Sequence, residues 1–182
     1  MKKLLLHSCC APCSSAVLER LINEGKWDIT VLYYNPNIHP KEEYEKRKSE
    51  QIRLISSYYP NVKFLDCDYC SNEFFTAVKG YEKEKEGGDR CQICFKLRLS
   101  YTAKQAKKHG FDIFGTTLSV SPYKNAKLLN EIGIEIQKEM GVEYLVSDFK
   151  KQNGYLRSIQ LSKQYDLYRQ KYCGCVFSNN QG

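Results

Sequence analysis

Short apolar runs separated by helix-length segments constrain this chain more than any other feature. Residues 3–7 form an apolar run bounded by Cys and Pro, which predicts a buried strand. Val17, Leu18, Leu21 and Ile22 then recur at helical spacing, with Ser14 or Ser15 available as cap and Gly25 as stop. Residues 28–34, 62–65, 113–117 and 142–146 read as further strands, the first ending at the Asn35-Pro36-Asn37 turn. Helices are predicted over 41–57, 72–78, 92–109, 124–140 and 155–168. Residues 80–90, charged and holding Gly87-Gly88, read as a loop and a candidate lid. Strands alternating with helices imply an α/β fold of three layers, a mostly parallel sheet with helices on both faces. No linker interrupts it, so the expectation is one domain over 1–182, with 150–182 a basic C-terminal helix and cysteine tail.

Nine cysteines are set into this pattern in clusters: Cys9-Cys10-x-x-Cys13, Cys67-x-x-Cys70, Cys91-x-x-Cys94 and Cys173-Gly-Cys175. Clustered cysteines in an intracellular chain point to metal binding or redox catalysis rather than to a disulfide framework. Ligands in open parallel sheets sit beyond the carboxyl ends of the strands. Cys9, Cys10 and Cys13 follow the first strand there, and Cys91 and Cys94 open the helix after the glycine loop. Helix N-termini favour thiolates. Cys9, Cys10, Cys91 and Cys94 could ligate an iron–sulfur cluster, a zinc ion held by four thiolates fits the same spacing, and disulfide exchange is a third use. Spacing alone does not choose among them. Cys67 and Cys70 read as small core residues, with Asp68 between them as an acid or ligand. A bridge between Cys173 and Cys175 would close a small strained ring, suited to reversible redox cycling. His7 precedes the cluster loop and is a candidate proton donor. Ser119, Ser121, Lys124 and Asn125 follow a strand and suit a helix cap, a sugar or a phosphate.

Hydrophobic residues make up 42 % of the chain, enough for a core without disulfide staples. The N-terminal Leu-Leu-Leu run is too short for a signal peptide and nothing later could span a membrane. The expectation is a cytoplasmic protein with reduced thiols and no membrane contact. The formal net charge is +7 and there are 14 tyrosines, a surface suited to RNA or simply to solvent. Six cations fall between Lys150 and Tyr172 (Lys150, Lys151, Arg157, Lys163, Arg169 and Lys171) against the single acid Asp166. Tyrosines interleave with them, so phosphate contacts and base stacking could be combined there.

The layered pattern resembles the scaffold of the nucleotide-binding ATP pyrophosphatases. That group carries a Ser-Gly-Gly-x-Asp-Ser loop after its first strand, where this chain has Cys9-Cys10-Ala11-Pro12-Cys13-Ser14-Ser15. The phosphate-wrapping glycines are missing, so ATP-dependent tRNA thiolation is not expected. A more specific resemblance rests on six motifs in one order. They are His7-Ser8-Cys9-Cys10-Ala11-Pro12-Cys13, Asn35-Pro36-Asn37-Ile38, Gly87-Gly88-Asp89-Arg90-Cys91-Gln92-Ile93-Cys94, Thr117-Leu118-Ser119-Val120-Ser121-Pro122, Ser147-Asp148-Phe149-Lys150-Lys151 and Tyr172-Cys173-Gly174-Cys175. Over about residues 4–178 the chain resembles the QueH-type epoxyqueuosine reductases.

The resemblance implies reduction of epoxyqueuosine to queuosine at the wobble position of tRNAs with GUN anticodons, the last step of queuosine biosynthesis, without cobalamin. It implies a [4Fe-4S] cluster on Cys9, Cys10, Cys91 and Cys94 and a redox-active pair at Cys173 and Cys175. The family is also associated with an additional mononuclear iron, for which Cys13, Asp68 and His7 are the candidate ligands. Asp68 or His7 would protonate the leaving oxygen. The sequence names neither the electron donor nor the oligomeric state. Two competing readings are a zinc-stabilised RNA-binding module and a thiol–disulfide oxidoreductase using Cys10 and Cys13.

Overall fold

Leu4, Leu5 and Leu6 are each fully buried, which is possible only for a central strand covered on both faces. In the computed structural model, which describes residues 1–179, this strand is β1 (Lys2–His7). The last three residues of the expected C-terminal tail, 180–182, lie outside the described residues. β1 is flanked by β2 (Trp27–Leu32) and β4 (Ile113–Thr116), with Leu4 opposite Ile29 and Ile113. β3 (Lys63–Leu65) and β5 (Glu143–Tyr144) form the edges. Among the described residues the sheet has the order β3-β2-β1-β4-β5 and every pairing is parallel. The α/β reading therefore holds, with an all-parallel sheet.

Alternation along β1 sends Leu4 and Leu6 to one face and Leu5 to the other. The first face is covered by α1 (Ala11–Glu24) and α2 (Lys41–Tyr58), through Val17, Leu18, Leu21, Leu54 and Ile55. The second is covered by α4 (Asp89–Lys108) and α5 (Ala126–Met140), through Phe95, Leu99, Ala103, Leu129 and Ile136. A short α3 (Ser71–Ala77) precedes α4, α6 (Gly154–Gln164) packs against α1, and α7 (Val176–Asn179) ends the described chain.

Three departures from the sequence-based expectations bear on the site. α1 begins at Ala11, with Cys10 as its N-cap and Pro12 in the first turn, where proline loses no hydrogen bond. Ser14 and Ser15 are therefore inside the helix, bonded back to the carbonyls of Cys10 and Pro12. α6 stops at Gln164, short of the expected 168, because Asp166 takes a left-handed φ of 51°. Arg53 then donates to the freed carbonyls of Tyr165 and Asp166. The 80–90 loop is no open lid. Arg90, 1 % exposed, donates to the carbonyls of Tyr81, Glu82 and Glu84 and to Ser178 Oγ. One guanidinium thus binds the loop and α7 to the start of α4.

Candidate functional site: a thiol-lined cavity

The loop after β1, the N-terminus of α4 and the C-terminal tail converge at the carboxyl edge of the sheet. They enclose a cavity of about 470 Å³, within the range of small-ligand sites. Six cysteines line it: Cys9, Cys13, Cys91, Cys94, Cys173 and Cys175. Cys10 lies just behind, its sulfur 3.8 Å from that of Cys9. The sulfurs of Cys9, Cys10 and Cys13 lie within 4.8 Å of one another, close enough to ligate one metal ion. Cys10 is the extended N-cap of α1, and Cys13 stands three residues on in the first turn of that helix. Cys91 is held from the glycine loop: Gly87 N–H donates to its sulfur at 3.2 Å, and Gly87 has φ 91°, which favours glycine.

Two cations sit among these sulfurs. Arg98 is 3 % exposed. It follows Cys91 and Cys94 by seven and four residues, which puts all three on one face of α4. Its Nη1 reaches Asn35 Oδ1 at 3.5 Å, and its Nε has no partner among the described residues. No carboxylate of the described residues forms an ion pair with it. Burial opposes its charge, which Cys94, Cys9, Cys173 and Cys91 support to the extent that each is ionised, Cys9 first. Half-buried Lys124 is in the same position, opposed by burial and supported by Cys9, Cys173 and Cys13 in their ionised forms.

The thiols respond unequally. Hydrogen bonds from Cys10 and Cys13 hold Cys9 well below the usual thiol range despite its burial, and Lys124 and Arg98 add to this. Cys10, helped by Cys13 but opposed by Cys9 and by burial, is pushed up to about 12, and Cys13 is pushed well up by both neighbours. Burial raises Cys94 to about 11 and also raises Cys91. The cavity alone holds one ready thiolate. A metal would displace protons from the others. The donor set, soft sulfur from several short turns around unbalanced positive charge, fits an anionic metal–thiolate centre.

The tail that brings in Cys173 and Cys175 is fastened in place. Arg47, 1 % exposed, is oriented by Glu43 at 2.8 Å. It donates to the carbonyls of Tyr172 and Cys173 at 2.9 and 3.0 Å. His39 N–H donates to Gly174 O, and Tyr172 OH donates back to His39 O. Gly174 has φ 108°, and a Cβ there would lie 2.7 Å from Ile38 Cγ1. Only glycine fits.

Two expected residues stand elsewhere. His7 is fully buried behind the cavity, its Nε2 facing Tyr34 O and Asn35 Oδ1 and its Nδ1 facing Thr116 Oγ1. Two oxygens without protons at Nε2 assign the proton there. Burial, with Arg98, lowers its pKa to about 4. His7 therefore stays neutral and joins the ends of β1 and β4 to the Asn35 loop. Asp68 is exposed and outside the cavity wall. Neither is placed to protonate a molecule in the cavity. Cys67 donates to Tyr33 O and packs against the second sheet face, while Cys70 is exposed. The sequence reading missed Arg47, Arg90 and Arg98. For Arg98 a signal existed in its helical register with the two cysteines.

The chain as a whole resembles proteins already known. It matches the family model described as "Epoxyqueuosine reductase QueH" over residues 4–181. The chain belongs to the QueH family. An epoxyqueuosine reductase QueH of Streptococcus pyogenes serotype M1 is 48 % identical over 96 % of this chain and 69 % of its own length. One from Staphylococcus aureus strain Mu50 is 47 % identical over 98 % and 76 %. One from Thermotoga maritima is 38 % identical over 98 % and 91 %. A solved structure, a predicted subunit of tRNA methyltransferase from Methanocaldococcus jannaschii, superposes with a TM-score of 0.57 at 12 % identity. It covers 90 % of this chain and 76 % of that one, a likeness of fold.

Two outcomes follow from this geometry. Arg98→Met should leave the metal-free protein at least as stable to heat, because Cys9 can take up a proton when the cation is gone. Cobalt(II) titrated into the same protein should bind at least about tenfold more weakly than to wild type, a difference of about 1.4 kcal/mol. Gly174→Ala should release the tail. Cys173 and Cys175 would then react faster with iodoacetamide, read by mass spectrometry, while far-UV circular dichroism stays that of wild type.

Proposed function

We propose that this chain reduces epoxyqueuosine to queuosine in tRNA, the closing step of queuosine synthesis, without cobalamin. Family membership over nearly the whole chain supports the reaction. The single observation that carries the chemistry is the cavity, where six thiols and two buried or half-buried cations meet at the sheet's carboxyl edge. We read the whole chain as one reductase domain, its tail serving as a wall of the site.

Cys9, Cys10, Cys91 and Cys94 would hold a [4Fe-4S] cluster. Cys13, beside Cys9 and Cys10, is our candidate ligand for an additional iron, ahead of Asp68 and His7, which stand off the wall. The cluster would relay single electrons from a donor the chain does not specify, and these, with two protons from solvent, would return a Cys173–Cys175 disulfide to thiols after each turnover. Arg98 and Lys124 offset the negative charge of the thiolates.

Removing the epoxide oxygen breaks two C–O bonds, forms a C=C bond and releases water, and it consumes two electrons and two protons. Oxidation of the Cys173 and Cys175 thiols to a disulfide yields two electrons and two protons, so the pair balances the reaction. Lys124 can hand a proton to an oxygen within the cavity. The modified base has to leave the anticodon stack to reach these groups. Substrate would be tRNA of the GUN anticodon class. Thiols that must return to the reduced state fit a cytoplasmic enzyme.

Anaerobically purified chain, given tRNA carrying epoxyqueuosine and excess dithionite, should release queuosine in nucleoside digests analysed by mass spectrometry. Cys91→Ala should abolish the product. Cys173→Ser should cut it at least about a hundredfold, a barrier rise of about 2.7 kcal/mol. Epoxyqueuosine left intact by iron- and sulfide-loaded wild-type protein would overturn the proposal.

A further inference from the structure

The rim of the cavity carries a tyrosine with no packing role. Tyr123 is 82 % exposed yet lines the cavity mouth. Its loop is firmly held. Ser121 Oγ accepts from Tyr123 N–H at 3.3 Å. Lys150 Nζ donates to the carbonyls of Ser119 and Lys124 at 2.8 and 2.7 Å. Asn125 caps α5 by accepting from Leu128 N–H. Consecutive residues are thus split: Lys124 turns its charge to the thiols and Tyr123 turns its ring to solvent. A large apolar ring displayed on a rigid loop costs little ordering entropy when something stacks on it.

Exposed Arg169 and Lys171 also line the cavity, on the tail segment that Arg47 anchors. Neither is found in an ion pair among the described residues. Two of the other cations of the C-terminal segment are differently employed. Arg157 forms a bidentate pair with Glu19 at 2.7 and 2.8 Å, joining α6 to α1, and Lys150 holds the Tyr123 loop. Of the six cations in the 150–172 stretch, Arg169 and Lys171 are the two that line the cavity.

We infer that Tyr123 and the Arg169–Lys171 pair form two jaws for a single RNA strand, Tyr123 stacking on a nucleotide next to the one in the cavity and the two cations gripping its backbone. The inference rests on the reductase reading for the choice of RNA and adds the surface that holds it. Aromatic stacking tolerates any base, and cations grip phosphate without reading sequence. Identity of the reacting nucleotide is then left to the cavity itself.

The test uses the full chain and an unmodified anticodon stem-loop RNA with a GUN anticodon, its affinity followed by fluorescence anisotropy across salt concentrations. Tyr123→Ala should weaken binding about tenfold at every salt concentration, with the salt slope kept. Tyr123→Phe should bind as wild type. Arg169→Gln combined with Lys171→Gln should weaken binding and lower the slope of log affinity against log salt by about 1.4, some 0.7 per lost contact. Unchanged affinity in Tyr123→Ala, or an equal loss in Tyr123→Phe, would overturn the stacking jaw, and an unchanged slope would overturn the cationic one. Binding that follows this pattern without conversion of epoxyqueuosine would retain the interface and remove the reductase reading. Conversion by a protein whose affinity ignores Tyr123 would do the reverse.

Discussion

A guanidinium held away from water needs a counter-charge, because desolvating an unbalanced cation is among the larger costs a fold can carry. Arg98 has no ion-pairing carboxylate among the described residues, so its counter-charge comes from sulfur: the Cys9 thiolate, joined by Cys94, Cys173 and Cys91 once they are ionised. Three chain segments far apart in sequence meet around that cation: the loop after β1, the first turns of α4, and the tail. Arg98 also reaches Asn35, whose amide donates to Ser8 O. The same interaction therefore ties the thiol cavity to the ends of β1 and β2.

The parallel sheet makes this meeting possible. With every strand running the same way, all the loops at one edge are connections out of strands. β1 sits at the centre, so its loop has neighbours on both sides. α1 and α4 both begin at that edge and bring their first-turn cysteines with them. Arginine then does at two further points what Arg98 does in the cavity. Arg47 fastens the tail by its carbonyls, and Arg90 fastens the glycine loop by three more. The planar fork of arginine suits this task, since one group can take several carbonyls. A site made of cysteines is thus kept in shape by buried cations.

Much of this was legible in the chain. Period and punctuation placed every strand within two residues or so, and the cysteine clusters marked the edge where chemistry resides. What escaped was the use of single polar residues. Arg47 stands in Lys46-Arg47-Lys48 on a charged helix, and nothing local distinguishes it from the lysines on either side. Its burial depends on a tail 125 residues later in the chain. His7 looked like a proton donor because it adjoins the cysteines. Its ring points the other way, and both nitrogens are engaged. Asp68 lay between two cysteines that turn out to be Cys67, half-buried against the core, and Cys70 in solvent. Adjacency along the chain says little about which face of a loop a side chain takes.

What the sulfurs bind decides the chemistry of the site. Iron and acid-labile sulfide should be counted on anaerobically purified protein, with Mössbauer or EPR spectra, beside Cys91→Ala. About four irons and four sulfides per chain, lost in the variant, are predicted, with any further iron belonging to a second site. Stoichiometric zinc without sulfide, after reconstitution with iron and sulfide has been tried, would contradict it.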